Sequence, residues 1–571
     1  MRRTTLILLI VSGLTFLAGL GRPAITDSDE AFYAEAAREM VETGDWLTPH
    51  YNYQVRFQKP ILYYWLTAAT YVVAGVSEFA ARLWSALAGV GLVLLTAATA
   101  RRWHGEETAR LAGLVAATSF GYFAMARMSL PDLPLAFFVT ASIWTAIVGL
   151  LDGGEPAKAA MSGGSGAPPE AKTRSSLAWL VASGAAGGLA FLTKGPIGIV
   201  LPAVVVLPLV VIEWRRIRLR PMHLAAAAAA FLLVATPWYF EMWRVHGAEY
   251  YRSFFIGDNL ERFATTRFND PRGFAYYGPV ILGGLLPWSP FLLLLVPPAV
   301  AAVQKRQLST AAVRLLTWAV LPLVVFTVSV GKQPRYILPV LPPLAILLAR
   351  ELAARVAVRP QARQRDTLLL ATGSLAALAF AALAVVLIRI RPLLAGVPPA
   401  LPPMAAGAVF VGAAAVAAAT WVRARSVASA VTVAAVAALL SGQYVVLSMR
   451  GPETVEKVAA VVRSELPAAR GWMVWGESLF VRNLVFYVKS RQTQAYEWRA
   501  VVDTIGAAGP MVVVMREEDV ARLEAEEGLS VRRLGEFTYF NTASLTPRRL
   551  LWPDPSRDSS RVVVARAERG S

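Results

Sequence analysis

The fold class this sequence predicts is a polytopic α-helical membrane protein of about thirteen transmembrane spans, followed by a small α/β domain outside the bilayer. Three observations predict it. Of 571 residues, 56% are hydrophobic and only 16% are charged, where soluble chains carry about a quarter charged residues. The deficit is concentrated in apolar runs, several long enough to cross a hydrocarbon core. Basic clusters recur in alternate loops, as they do in cytoplasmic connections.

The expected spans are 4–20, 80–100, 109–126, 132–151, 177–193, 196–212, 222–239, 276–301, 311–330, 335–349, 367–389, 404–422 and 428–448. Met1 to Leu20 opens like a signal peptide, but Ala24-Ile25-Thr26 is a weak cleavage site, so it is read as a retained first helix. Segment 60–75 is a fourteenth candidate, set aside because Tyr63, Tyr64 and Trp65 give it an interfacial character. Loop charge tests this count. With the N-terminus inside, Arg101-Arg102, Lys172 and Arg174, Arg215 to Arg218, Lys305-Arg306, Arg350 to Arg365, and Arg423 with Arg425 all fall in cytoplasmic loops. A span at 60–75 would invert them.

Residues 1–450 are thus read as a membrane domain with two long external loops, 21–79 and 239–276. Asp152 to Lys172, rich in Gly, Pro, Ala and Ser, reads as a disordered inner linker. Residues 451–571 alternate helical and strand patterns and read as an external α/β domain. Glu453 to Leu466 and Glu517 to Glu527 are its expected helices, Trp472 to Trp475 and Met511 to Met515 its expected strands. No glycine-rich phosphate loop opens its helices.

The chain contains no cysteine, which excludes disulfides, thiolate zinc sites and cysteine nucleophiles. The formal charge is +18, while 451–571 holds 17 Lys and Arg against 16 Asp and Glu. The excess therefore lies in the membrane domain and reports loop topology, not a nucleic-acid partner. His50, His104, His223 and His246 have no ligand spacing, so no metal site is indicated and no cofactor is expected.

The polar groups that stand out lie at the outer ends of the spans. Asp27-Ser28-Asp29-Glu30 puts three carboxylates beside a membrane exit. Ser28 or Asp29 can cap the following helix, which accounts for one acid better than for the cluster. Acids at an apolar boundary are costly unless used. A carboxylate there suits glycosyl transfer, where an acceptor hydroxyl needs a general base and in-line attack needs no covalent intermediate. Asp132, in Leu130-Pro131-Asp132-Leu133-Pro134, is either a helix cap or a second acid. Lys194 before Gly195-Pro196 is either a helix-end dipole partner or a site cation. Lys59 either snorkels or neutralises a phosphate. Arg262 either clamps a phosphate or pairs with Glu261 or Asp258. Gly331-Lys332-Gln333-Pro334-Arg335-Tyr336 adds two cations and a phenol. Outer cations run against the orientation bias, and a lipid phosphate would explain Lys59, Arg262, Lys332 and Arg335 together.

At these residues the chain resembles the bacterial aminoarabinose transferase and protein O-mannosyltransferase superfamily, multi-span glycosyltransferases of the C-type fold. The resemblance runs in order through the first 350 residues or so. It is carried by Asp29-Glu30 with Tyr33-Ala34-Glu35 and Arg38-Glu39-Met40; Gly44-Asp45-Trp46; Lys59-Pro60; Ala81-Arg82-Leu83; Asp132-Leu133-Pro134; Phe191 to Pro196; Pro237-Trp238-Tyr239; Asn259-Leu260 with Arg262-Phe263; Leu286-Pro287-Trp288; and Lys332 with Tyr336 to Pro339. It implies a catalytic acid at Asp29, with Glu30 beside it, and a second acid at Asp132. It implies that Lys59, Arg262 and Tyr336 hold the phosphate of a polyprenyl-phosphate sugar, with Lys332 and Lys194 as further cations. The implied enzyme works at the outer face of the bacterial inner membrane. Its donor is a sugar on undecaprenyl phosphate, either a pentose such as 4-amino-4-deoxy-L-arabinose or a hexose. Lipid A is the first implied acceptor and a protein Ser or Thr the second. The chain departs from aminoarabinose transferases at Phe32, where they usually have arginine, and at Gln58, where they usually have glutamate. In some members that glutamate helps hold a metal, so a divalent ion stays open.

The rival class is a flippase or transporter of lipid-linked sugar, which needs polar residues along a path through the bilayer. Here the span centres are Ala, Leu and Val, and the polar groups gather at the outer ends. A receptor or scaffold would leave the outer cations without a role.

Overall fold

The structure is a computed structural model and describes residues 1–152, 173–174, 176–267, 271–357, 366–394, 397–422, 424–447, 453–476, 479–526, 528–540 and 546–570. Most of the inner linker, 153–172, lies outside the described residues.

Among the described residues, nine helices are long and apolar enough to cross a membrane, or ten if the bent pair Phe274–Gly284 and Ser289–Lys305 counts as one span. The sequence predicts thirteen, and the difference has local causes. The first expected span is an 11-residue α-helix, Arg2–Ser12, continued by a π-turn at Gly13–Leu17. The second and third are two helices joined end to end within Glu78–Thr118, a 41-residue stretch kinked at Gly105, whose φ of 86° is open to glycine, so length alone counts them once. Ile197–Ile212 is a helix of 16 residues, about 24 Å at 1.5 Å per residue. The 276–301 segment bends by 111°.

Segment 60–75 forms the short helix Leu62–Ala74, which buries Tyr63, Tyr64 and Tyr71. Its 13 residues reach about 20 Å, well short of a bilayer core. The helix Asp29–Thr43 before it is punctuated as its sequence dictates. Ser28 caps it by accepting from the Glu30 N–H, two acids occupy the first turn, and Gly44 closes it with a left-handed φ of 73°. Between these helices, His50–Tyr51 and Gln54–Val55 pair antiparallel. Asn52 and Tyr53 both take positive φ between them, the twist a two-residue hairpin turn requires. This hairpin aims Arg56 to Lys59 at the bundle.

The C-terminal segment forms a four-stranded mixed sheet in the order Gly471–Val474, Met511–Arg516, Ser559–Arg569, Leu529–Phe540. The first pair is parallel and the others antiparallel. The expected helices and strands are present as Thr454–Glu465, Glu517–Ala525 and the first two strands. Met511–Arg516 is covered on both faces. Val512 and Val514 pack with Val458 and Val462, while Val513 and Met515 pack with Val501, Ile505 and Leu523.

This sheet docks onto the first long loop. Asp27 accepts hydrogen bonds from the backbone N–H groups of Arg482 (2.6 Å) and Asn483 (3.1 Å). The Tyr487 hydroxyl accepts from Ile25 N–H and donates to Glu78. Asn52 and Gln492 exchange two bonds, at 2.9 and 2.7 Å.

Candidate active site

Helix starts, helix ends and two loops meet at a cavity of about 780 Å³. Asp29 and Tyr33 reach it from the first turns of their helix, and Arg56, Gln58 and Lys59 from the loop after the hairpin. Asp132 opens the helix Asp132–Leu150, and Lys194 closes Leu177–Lys194. Asp258 and Arg262 come from the turn-rich segment 252–264, and Arg335 and Tyr336 from the 3₁₀ turn Pro334–Val340.

Two ion networks line the walls. In the first, Arg335 pairs with Asp29 and lies 3.4 Å from Asp132, whose other oxygen accepts from Lys194 at 2.5 Å. The Lys194 ammonium also sits 4.7 Å from the centre of the Tyr336 ring, a cation–π distance. In the second, Arg262 donates to Asp258 at 2.8 Å, and Lys59 lies 3.9 Å from the same oxygen. Lys59 also donates to the Gln58 carbonyl at 2.7 Å.

The cations set the protonation of the acids. Burial pushes the Asp29 carboxyl up, but Arg335, with Arg56 and Lys59 behind it, holds it below the usual carboxylate range. Asp29 is therefore ionised and a ready acceptor. Burial pulls the Lys59 ammonium down to about 7; Asp258 opposes this, and Arg262, Lys194 and Arg56 add to it. An enclosed lysine of this kind gains its charge most easily when an anion arrives beside it.

The carboxylates of the wall are already paired with cations. Asp29, Asp132 and Asp258 are each engaged by an arginine or lysine, and Gln58 offers a neutral amide. Among the described residues, no three His, Asp or Glu side chains gather as a metal-holding set.

Known proteins resemble the chain in sequence and in fold. The family profile described as "Dolichyl-phosphate-mannose-protein mannosyltransferase" matches residues 24–251. An undecaprenyl phosphate-alpha-4-amino-4-deoxy-L-arabinose arabinosyl transferase of Pseudomonas aeruginosa is 34% identical over 392 residues, covering 68% of this chain and 66% of that protein. Arabinosyl transferase 2 of Proteus mirabilis is 33% identical over 339 residues, covering 59% and 57%. The chain thus spans somewhat under two thirds of the length of these relatives. The crystal structure of ArnT from Cupriavidus metallidurans bound to undecaprenyl phosphate shares the fold, with a TM-score of 0.70 over 98% of this chain and 97% of that one, at 24% identity. The chain is similar in sequence to the aminoarabinose transferases and protein mannosyltransferases and shares the fold of ArnT.

Of the residues that resemblance to the superfamily singles out, Asp29, Lys59, Asp132, Lys194, Arg262 and Tyr336 line one cavity. Asp132 does not cap its helix, since Pro131 holds the cap position and no side chain bonds there, but it and Lys194 each sit at the helix end their charge favours. Lys59 does not snorkel; it is enclosed. Glu30 and Lys332 are placed elsewhere. The Glu30 side chain is 0% exposed against 46% for Asp29. It receives Arg82 at 2.7 Å and the N–H groups of Thr26 and Ser129 at 2.9 Å each. One residue further along a helix turns the side chain by about 100°, which carries Glu30 off the cavity into a brace. Lys332 is buried and donates to the Ser329 carbonyl at 2.6 Å. Superfamily motifs did not single out Arg56, Arg252, Asp258 or Arg267, all of which line the cavity. The signal for Arg56 was its position three residues before Lys59, in the same outer loop.

Proposed function

We propose that this chain is an integral-membrane glycosyltransferase that moves a sugar from undecaprenyl phosphate to a cell-envelope acceptor at the outer face of the inner membrane. Lipid A, the acceptor the family resemblance implies, is the first acceptor to test. The observation that carries the reading is a single cavity joining Asp29 to Lys59, Arg262 and Tyr336 beside membrane-spanning helices. The relatives named as undecaprenyl-phosphate arabinosyl transferases, and the ArnT structure bound to undecaprenyl phosphate, support it.

In this reading the donor phosphate lies between Lys59 and Arg262, with the lipid chain leaving along the apolar helices. The bond from sugar C1 to the phosphate oxygen breaks, and its electron pair stays on the lipid phosphate. The acceptor oxygen attacks C1 from the opposite side, with inversion. Cations placed where the leaving phosphate gains charge stabilise the transition state more than the ground state. Asp29 aligns the acceptor and takes its proton. While paired with Arg335 it is a weak base, and it strengthens when the incoming phosphate draws Arg335 away.

The test is transfer from a labelled polyprenyl-phosphate sugar in membranes, wild type against Asp29→Asn. Wild-type activity in that variant would remove Asp29 from the mechanism. Mass spectrometry of the lipid that copurifies with the protein is the second test, and absence of any polyprenyl phosphate would count against the donor.

A further inference from the structure

Three cavity cations stand outside both ion networks: Arg252 and Arg267 are exposed, with Arg267 paired to Glu261, whereas Arg56 is half-buried. Its guanidinium lies 4.1 Å from the centre of the Phe32 ring, flat-stacking range for a cation on an aromatic face. Its Nε is shielded from solvent without a well-formed bond, the guanidinium has only the Tyr64 hydroxyl as a polar neighbour of its own corner, and among the described residues no carboxylate lies within ion-pairing distance. Its charge nevertheless reaches Asp29 and is felt there ahead of that of Lys59. Tyr33 and Tyr64, stacked on each other at 5.4 Å and 28°, border the same corner and also feel it. A shielded guanidinium with an open donor is costly to keep and is normally matched by an anion.

The cavity as a whole repeats the imbalance. Its described lining carries seven arginines and lysines against four carboxylates. A sugar phosphodiester brings a single negative charge, and Lys59 with Arg262 suffices to receive it. An amino sugar would bring a positive charge into this surplus and place it near Arg56.

We propose that Arg56, held on Phe32, is the sugar-reading residue of this cavity, and that the transferred sugar carries a carboxylate, as a uronic acid does. The inference rests on the glycosyltransferase reading above. A planar guanidinium matches a carboxylate with two parallel N–H bonds, and the aromatic corner supplies a face for the sugar ring. Phe32 sets the plane of the fork, and Asp29 one helical step away would then address the acceptor at C1.

The experiment uses the full chain in nanodiscs and three donors on the same polyprenyl phosphate: a hexuronic acid, the matching neutral hexose and a 4-amino pentose. The expected result is a kcat/KM for the uronic donor at least about tenfold above the hexose, the size of one charge-assisted hydrogen-bond pair, with the amino pentose lowest. Arg56→Gln should bring the uronic-to-hexose ratio close to one, mainly through KM, and Arg56→Lys should keep part of it, with melting temperatures unchanged. Equal use of the three donors, or preference for the amino pentose, would overturn the proposal. So would a selectivity that follows phosphate groups on the acceptor instead of charge on the donor. Binding is measured in parallel, by tryptophan fluorescence with the uronic lipid and with bare polyprenyl phosphate. If no donor is transferred yet the uronic lipid binds more tightly, and Arg56→Gln abolishes the difference, Arg56 stands and the transferase reading falls. No transfer with equal binding would end both.

Discussion

Charge gathers at both ends of the helix Asp132–Leu150, and the two gatherings differ in kind. At the far end, Arg314 grips Glu213 through two bonds of 2.8 Å and Asp152 through a third of 2.7 Å, while Arg102 holds the other Asp152 oxygen at 2.6 Å. Charges there are matched one to one. About 29 Å away along the helix, Asp132 belongs to the cavity with its excess of cations. A matched cluster without space is a brace. A mismatched cluster around open volume is a receptor for something of opposite sign. Counting charged residues cannot separate the two; pairing and space do.

The largest effect expected from breaking this contrast is at Asp29. Asp29→Asn should lower transfer by about 10²- to 10⁴-fold, the usual weight of a general base, with melting unchanged because the side chain is half exposed. Radiolabelled sugar transfer and a melting curve check both halves. Arg314→Met should do the converse. Leaving Glu213 and Asp152 buried without their partner costs about 3–5 kcal/mol, read as a lower melting temperature in detergent, while turnover per folded molecule stays the same. Full activity loss in folded Arg314→Met would dissolve the distinction between the two ends.

Smaller effects sharpen it. Lys59 titrates near 7 in the free protein, and a bound phosphate raises that value. Donor binding then takes up a proton, so affinity falls as pH climbs above 7, by up to about tenfold per unit. A donor-binding series from pH 6 to 9 checks the slope, and Lys59→Arg should flatten it. The smallest change is Tyr487→Phe, which strips a partner from Ile25 N–H and from Glu78. It should cost about 1 kcal/mol, seen as faster hydrogen exchange in residues 20–30.

Much of this end of the molecule was legible before any coordinates. Asp29, Lys59, Asp132, Lys194 and Arg262 stand out as charge at an apolar boundary, which left each open between an architectural and a functional role, and Tyr336 was added by the family resemblance; all six line the cavity. Glu30 was misleading for a geometric reason. A linear sequence puts it beside Asp29, whereas a helix turns it towards Arg82. Lys332 failed in the same way, since a turn folds its ammonium back onto the Ser329 carbonyl. The double pairing of Arg335 could not be read, because its partners Asp132 and Asp29 lie about two hundred and three hundred residues away in the sequence. The spans expected at 80–100 and 109–126 lie on either side of the kink at Gly105, where the charged stretch Arg101 to Glu107 turns the chain between two helices. The strand Leu529–Phe540 was missed because its charged, partly exposed residues imitate a solvated helix, whereas Ser559–Arg569 carried a readable signal in the buried apolar run Val562 to Ala565.

The bonds from Asp27 to Arg482 and Asn483 fasten the C-terminal lobe two residues upstream of Asp29, with Ser28 alone between them. That short tether makes the lobe a lever. A displacement of the lobe would be passed first to the few backbone atoms that set the reach of the Asp29 carboxylate.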